Sequence, residues 1–402
     1  MRIGIDASRA NVAQRTGTEW YAFHLTRSLL PFLREHTVYL YVREPLRPEW
    51  GSLPSHVKVR VLRWPPKIMW TQLRLSWEML WHRVDVLFVP AHTIPFISPR
   101  QTLTTIHDVG FERTTTLYGR KPLGQSTVGR RFTNLLVRVL TLGRYSATEL
   151  DYHRFSVRLA VRRCKQLLTV SAFSAKEITE TLGVSPDRIT VVANGYDATL
   201  YNAAVREAKS HIAAVQQQYK LTAPYILSIG RIEKKKNTLQ LVQAFQALRM
   251  KPAFANLQLF LAGSLGEGAA EVVAWREREK LQAYVHMPGW VAEAAMPALL
   301  AGAEVFVLGS AYEGFGIPVL EAMACGTPVL CSDIPALREV GGTAARYFAV
   351  GDVTQCTQGL EQILSHPPLQ QEMRAAGLAR VQDFSWAQSA ALVAKLLIGM
   401  HR

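Results

Sequence analysis

Short apolar runs alternate along this chain with longer stretches in which apolar residues recur at helical spacing. That alternation predicts parallel sheets covered by helices, an α/β fold. In the first half, strands are expected at 2–6 (RIGID), 37–42 (TVYLYV), 57–62, 84–89, 102–106, 166–170 and 189–193. Helices are expected between them, at 18–30 and at 175–182 with Ser174 as N-cap. A second series starts afresh at 225–229 (YILSI) and continues at 257–262, 283–287, 304–308, 327–331 and 345–349. Its helices include 238–248, and a last one covers 385–400 from Ser385.

Two sheets of similar build imply two domains, and 402 residues are too many for one ordinary core. The reading is a first domain at 1–194, a linker at 195–222, a second domain at 223–384 and a terminal segment, 385–402, crossing back to the first. No repeat of solenoid period interrupts the pattern. With 49% hydrophobic and 19% charged residues, the composition is that of a globular protein. Cys164, Cys325, Cys331 and Cys356 lack CxxC spacing, so they read as small buried residues of a reducing compartment. The start, MRIGIDASRA, enters a strand with no basic-then-apolar leader, and no apolar stretch is long enough to span a bilayer. A cytoplasmic location follows as the expectation, with peripheral membrane contact compatible with it.

Charge sharpens this. Residues 1–200 hold 28 Lys+Arg against 15 Asp+Glu, a net of +13 out of the chain's +15. Such asymmetry marks a half that faces a polyanion or an anionic membrane, unless the whole proteome is Arg-rich. Within it, residues 113–165 are rich in Arg, and 130–144 (RRFTNLLVRVLTLGR) has the spacing of a cationic amphipathic helix. That helix either packs on its own domain or lies on an anionic membrane surface.

Candidate chemistry concentrates in the second half. In SIGRIEKKKN (228–237), Gly230 permits a tight turn at a strand's carboxyl end, and Arg231 and Lys236 share one short loop. A guanidinium and an ammonium placed so suit a diphosphate. Lys234 and Lys235 read as solvated neighbours. Further on, YEGFGIPVLEAMACGTPVL (312–330) follows a buried strand with a loop holding Gly314 and Gly316. A helix then begins at Ile317–Pro318 and is closed by Gly326. The bare loop N–H groups and the helix start make an anion site. Glu313 precedes the helix and Glu321 lies in its second turn, so both can face one ligand. Taken singly each is an ordinary surface or helix glutamate, but the full Glu-Gly-Phe-Gly-x-x-x-x-Glu spacing is far rarer by chance.

These residues, with SDIPALREVGG (332–342) and VANGYD (192–197), resemble the retaining glycosyltransferases of family 4. The resemblance covers nearly the whole chain and implies the GT-B fold, two Rossmann-like domains facing each other across a cleft. It implies that Arg231 and Lys236 bind the donor diphosphate, with Gly230 and Asn237 in the same loop. It further implies that Glu321 holds the ribose hydroxyls and that Glu313 contacts the donor sugar. Gly314, Phe315, Gly316 and Ile317 would line the sugar and phosphates, and Gly289, Trp290 and Val291 (in PGWVAE, 288–293) would edge the nucleobase. In TIHDVGF (105–111), His107 ends a strand where family members point a histidine at the donor sugar. In RTGTEWY (15–21), Gly17 and Glu19 are kept, but Thr16 replaces one of the family's paired glycines. The basic stretch around 119–150 is longer than the family's usual segment.

The expected substrates are a nucleotide-sugar donor and a glycan or lipid-linked acceptor. Mannose from GDP-mannose comes first and a UDP-hexose second, with no metal and no other cofactor. A GT-B-type sugar-nucleotide epimerase would share the donor site but need no acceptor. A dehydrogenase is disfavoured because no GxGxxG follows the first strand. A nucleic-acid-binding protein would explain the charge, but the chain has no recognisable reading module.

Overall fold

The structure, a computed structural model, describes residues 1–64, 69–113, 137 and 148–400. The basic helix expected at 130–144 therefore lies outside the described residues, apart from Val137, as does much of 113–165. The chain splits into two compact units, Met1–Asn194 with Ser385–Arg402, and Gly195–Phe384.

The first unit holds seven strands, β1 (Arg2–Asp6), β2 (Thr37–Val42), β3 (Val57–Val61), β4 (Val86–Val89), β5 (Gln101–Thr105), β6 (Gln166–Thr169) and β7 (Ile189–Val191). They form one parallel sheet in the order β3-β2-β1-β4-β5-β6-β7. Every residue of β4 is buried, as a strand covered by helices on both faces requires. The edge strand β3 instead leaves Val59 and Val61 more than a third exposed.

Helix Trp386–Gly399 completes this unit. Trp386, Ala390, Val393, Ala394 and Leu397 form its buried stripe, at the i, i+4, i+7, i+8 spacing of one helix face. The stripe packs on helix Gly17–Leu29, whose Tyr21, Ala22, Leu25 and Leu29 are buried. Each buried Val or Leu among these contributes about 1.5–3 kcal/mol by leaving water. The Ser385 side chain caps the terminal helix, and the Ser389 hydroxyl donates to the Ala193 carbonyl at 2.5 Å.

The second unit has β8 (Tyr225–Ile229), β9 (Gln258–Ala262), β10 (Val285–Gly289), β11 (Val305–Leu308), β12 (Val329–Ser332) and β13 (Arg346–Phe348). Their order is β10-β9-β8-β11-β12-β13, all parallel. Counted within the unit this is 3-2-1-4-5-6, the doubly wound Rossmann order. Each expected strand lies within about two residues of an observed one. Residues 195–222 pack with this unit, their helix Lys209–Gln218 lying against Met296–Gly302.

Two local expectations need correction. Helix Ala172–Leu182 starts earlier than its periodicity suggests, and its cap is Ser171, whose hydroxyl accepts from the Ser174 N–H at 3.0 Å. Ser174 sits in the first turn and instead donates to the His107 carbonyl at 3.2 Å. The four cysteines are buried and unpaired.

Candidate active site

In an open parallel sheet, ligands bind at the carboxyl ends of strands where the winding direction reverses. In the second unit that point lies between β8 and β11, which are neighbours in the sheet. The loops that follow them are 230–237 and 309–316, the same two stretches singled out above. Topology thus brings together motifs that are about 80 residues apart.

Backbone at this edge is too crowded for side chains. Gly230 has φ +146° and Gly263, after β9, has φ +154°. A Cβ on Gly263 would meet the Gly230 carbonyl oxygen at 2.0 Å, and one on Gly316 (φ +123°) would meet Leu337 at 2.6 Å. Only glycine satisfies both conditions. Gly316 leads directly into helix Ile317–Ala324, with Pro318 in the first turn. The helix closes in a Schellman arrangement: the Gly326 N–H reaches the Met323 carbonyl at 3.0 Å, and the Thr327 N–H the Ala322 carbonyl at 2.9 Å.

The charged groups converge across the two loops. Lys236 Nζ donates to the Glu313 carboxylate, which also accepts from the Ser310 hydroxyl at 2.6 Å. Asn237, in the left-handed conformation at φ +48°, turns its amide onto the Gly309 carbonyl at 2.9 Å. The Ala311 N–H reaches the Lys235 carbonyl at 2.8 Å, and the Lys235 ammonium lies 5.4 Å from the centre of the Tyr312 ring. Lys235 is thus a member of the cluster rather than a solvated neighbour. Lys234 pairs outward with Glu271 at 3.2 Å. Burial pushes the Glu313 carboxyl up, but Lys236 and Lys235 outweigh it and hold the group below the usual carboxylate range. Glu313 is therefore an anion set among cations.

Arg231 stands apart. Its side chain is 49% exposed, and its nearest carboxylate, Glu233, is 3.8 Å away. A guanidinium so loosely held keeps its donors for a ligand. Phe315 is buried, packed edge-to-face on Phe384 with centroids 5.8 Å apart. Gly314 lies between it and Glu313 in the loop that leads into helix Ile317–Ala324.

Glu321 contrasts with Glu313. Burial, and then the nearby Glu293 and Asp197 carboxylates, push its pKa up to about 8. Its carboxylate has no hydrogen-bonding partner among the described residues. A group in that state gains from any ligand that offers hydroxyl donors. Gly289 ends β10 at φ +80°, after an irregularity in the register with β9. Trp290 is 43% exposed and Val291 is buried.

In the first unit, His107 follows β5, next in the sheet to β4. Its Nε2 is 3.2 Å from the Pro90 carbonyl oxygen, and its ring meets Tyr21 edge-on at 4.6 Å. A carbonyl only accepts, so Nε2 carries the proton. Burial holds the pKa below that of a free histidine, so the ring is neutral at pH 7 and Nδ1 is left as an acceptor. Tyr21 is fixed in turn by the Thr105 hydroxyl at 2.9 Å and by Trp386 at 5.8 Å. Gly17 opens the helix Gly17–Leu29, and a Cβ there would meet nothing within 4 Å. Thr16 caps this helix, and the Glu19 carboxylate accepts from the Thr16 N–H at 3.1 Å, so the replaced glycine is offset by a capping box.

Sequence reasoning missed Ser310, Lys235, Tyr21 and the Glu293–Asp197 pair. Ser310 and Tyr21 are common residue types without motif context, and only proximity in space gives them a partner. Among the described residues, no three His, Cys, Asp or Glu cluster as a metal site would, and no helix is long and apolar enough to cross a membrane.

Residues 15–200 match the family model described as Glycosyltransferase Family 4, and residues 212–380 the one described as Glycosyl transferases group 1. The O-antigen chain mannosyltransferase B of Escherichia coli is 34% identical over 238 residues, which is 58% of this chain and 61% of that protein. The chain thus spans less than two thirds of that relative's length. Among solved structures, a sucrose-phosphate synthase from Thermosynechococcus elongatus superposes with a TM-score of 0.71 at 18% identity, over 99% of this chain and 98% of that one. Anabaena HepE in complex with UDP and glucose gives 0.69 at 17% identity, over 99% of each chain. At such identities the two structures show a common fold.

Proposed function

We propose, from the premise that this chain belongs to the family 4 glycosyltransferases of GT-B fold, that it transfers mannose from GDP-mannose to a polysaccharide or lipid-linked glycan. The observation that carries the proposal is the meeting of Lys236, on the same loop as Arg231, with Glu313 at the switch point of the second sheet. Mannose is favoured by the 34% identity to a mannosyltransferase. The surplus of cations in residues 1–200 favours an acceptor that is anionic or held at an anionic membrane face.

In the proposed reaction the bond between the sugar's anomeric carbon and the diphosphate oxygen breaks. A new bond forms from the acceptor hydroxyl on the same face, with retention of configuration, and that hydroxyl's proton passes to the departing diphosphate. Negative charge grows on the leaving group. Arg231, Lys236 and the N–H groups at the start of helix Ile317–Ala324 stabilise it without reorganising, and this is the electrostatic part of catalysis. The charge is thus met by side chains and backbone, with no metal required. Lys236 changes partners, from Glu313 alone to Glu313 and phosphate. Glu313 and the Phe315–Gly316 backbone orient the sugar, and the unpartnered Glu321 carboxylate accepts from the ribose hydroxyls. His107, neutral with Nδ1 open, accepts from a sugar hydroxyl. Gly230, Asn237 and Gly314 shape the phosphate loop, Gly17 offers a bare backbone, and Gly289, Trp290 and Val291 edge the base.

The test is calorimetric binding of GDP-mannose, UDP-glucose, UDP-N-acetylglucosamine and ADP-glucose with EDTA present, on the wild type and Arg231→Ala. Tight binding of GDP-mannose alone, lost in the variant, supports the reading. Preference for a UDP sugar would replace the donor, and binding of none would overturn the metal-free clamp.

A further inference from the structure

Exposed tryptophans are costly on a surface that faces only water, and this chain carries two side by side. They lie on the segment that begins with a π-turn at Trp70–Arg74 and continues as helix Leu75–Trp81. Its inner face is ordinary: Trp70, Leu75 and Met79 belong to the first unit's core. The Trp70 indole donates to the Leu62 carbonyl at 2.8 Å. Its outer face is not. Leu73, Trp77, Leu80 and Trp81 are 40%, 63%, 44% and 66% exposed. These positions are i, i+4, i+7 and i+8, so they form one continuous stripe. The Trp77 and Trp81 ring centroids are 6.4 Å apart. Ile97, 43% exposed, sits against the same helix, its N–H reaching the buried Ser76 hydroxyl at 3.1 Å.

The sequence that carries the stripe is strongly cationic. From residue 58 to 83 the chain has six Lys or Arg and a single carboxylate, Glu78. That carboxylate is buried and already consumed by Arg60 at 2.8 Å, Arg74 at 3.4 Å and His82 at 3.3 Å. Arg63 and Arg83 are exposed and have no carboxylate partner among the described residues. On the Ile97 side, Arg163 is anchored by the Phe96 carbonyl at 3.2 Å. An apolar, indole-tipped ridge on so cationic a segment complements a lipid surface with anionic headgroups. Indole settles at the boundary between headgroup and acyl chain, and each nearby cation adds attraction to the leaflet.

We infer that Leu73, Trp77, Leu80 and Trp81 form a wedge by which the first unit docks on an anionic membrane. The inference rests on the proposed reading in one respect, that the acceptor is membrane-held, and it places docking on a segment distinct from the basic stretch at 130–144. Docking needs no chain refolding, because the outer face is already presented by a helix whose inner face is locked in the core.

The experiment is co-sedimentation of the full chain with phosphatidylcholine vesicles, with and without phosphatidylglycerol, for the wild type and for Trp77→Ser/Trp81→Ser. Both positions are exposed, so the thermal unfolding midpoint should hold, and that is measured alongside. The expected result is binding to the anionic vesicles alone, weakened by about tenfold or more in the variant, equivalent to ~1.4 kcal/mol. Equal binding by both proteins would overturn the wedge, since attachment would then come from elsewhere. A wild-type dimer that the variant dissolves, without vesicle binding, would also overturn it and make the ridge a contact between copies. Turnover of GDP-mannose without vesicles should be the same in both proteins. Its absence from both, with the vesicle result intact, would sink the proposed activity and leave the docking surface standing.

Discussion

The Lys236 ammonium donates to the Glu313 carboxylate, joining two residues 77 positions apart in sequence. The pair exists because β8 and β11 are neighbours in the second sheet, and each residue sits on the loop that follows its strand. Each also neutralises the other while no phosphate is present.

Breaking the pair should therefore cost stability as well as activity. The side chains of Lys236 and Glu313 are 22% and 14% exposed, so Lys236→Ala leaves a mostly buried carboxylate with the Ser310 hydroxyl and the more distant Lys235. We expect a loss of about 1–3 kcal/mol, read by urea unfolding at pH 7. Glu313 has a folded pKa below its ordinary 4.5, so its stabilising contribution is present above that value and fades as pH falls through the folded pKa. In Lys236→Ala burial is opposed less and the folded pKa rises, so this acid-side loss should shrink or reverse. An unchanged acid limb would mean that the pair contributes nothing to the fold.

Arg231 should behave oppositely. It is half exposed and only loosely near Glu233, so Arg231→Ala should shift stability by no more than about 0.5 kcal/mol. A hydrogen bond to a charged group contributes about 1.5–3 kcal/mol, so turnover should fall by roughly ten- to a hundredfold or more. Normal turnover in a well-folded variant would remove Arg231 from the clamp.

Two glycines separate backbone need from ligand need. Gly263→Ala drives a Cβ into the Gly230 carbonyl at a positive φ, so this variant should be recovered unfolded or strongly destabilised. Gly17→Ala meets nothing and adds a helix-favouring residue, so it should be neutral or stabilised by up to about 1 kcal/mol. Loss of donor binding in that stable protein would show that ligand approach requires glycine there. Full binding would make Gly17 incidental.

Glu321 gives the pH dependence. Its folded pKa is about 8 against an ordinary 4.5. Between those values the unfolded chain has released the proton and the folded chain retains it, so stability falls as pH rises across the window. Glu321→Gln should flatten that fall. If ribose hydroxyls donate to the ionised carboxylate, they favour the charged form, and donor binding at pH 7 must release a proton. Calorimetry in buffers of different ionisation enthalpy would detect it, and a buffer-independent enthalpy would argue against ribose at this position.

The strands were legible in the sequence because a doubly wound sheet buries both faces of its inner strands, and Val86–Val89 or Val305–Leu308 then stand out as unbroken apolar runs. The turn at Gly230, the helix opening at Ile317 and its closure at Gly326 were legible for a related reason: each is decided within a few residues by local backbone chemistry. Helix starts were less so, since Ser171 and Ser174 are both serines near a helix origin and only hydrogen bonding chooses between them. Tertiary structure alone decided that Lys236 meets Glu313, that Lys235 joins them, that His107 is backed by Tyr21, and that Glu321 lies among carboxylates without a partner. It alone also decided that Trp77 and Trp81 face outward while Trp70, on the same segment, is buried. Periodicity names the residues that share a helix face. Which face the fold covers, and which loops become neighbours, depends on strand order, a property of the whole chain rather than of any window along it.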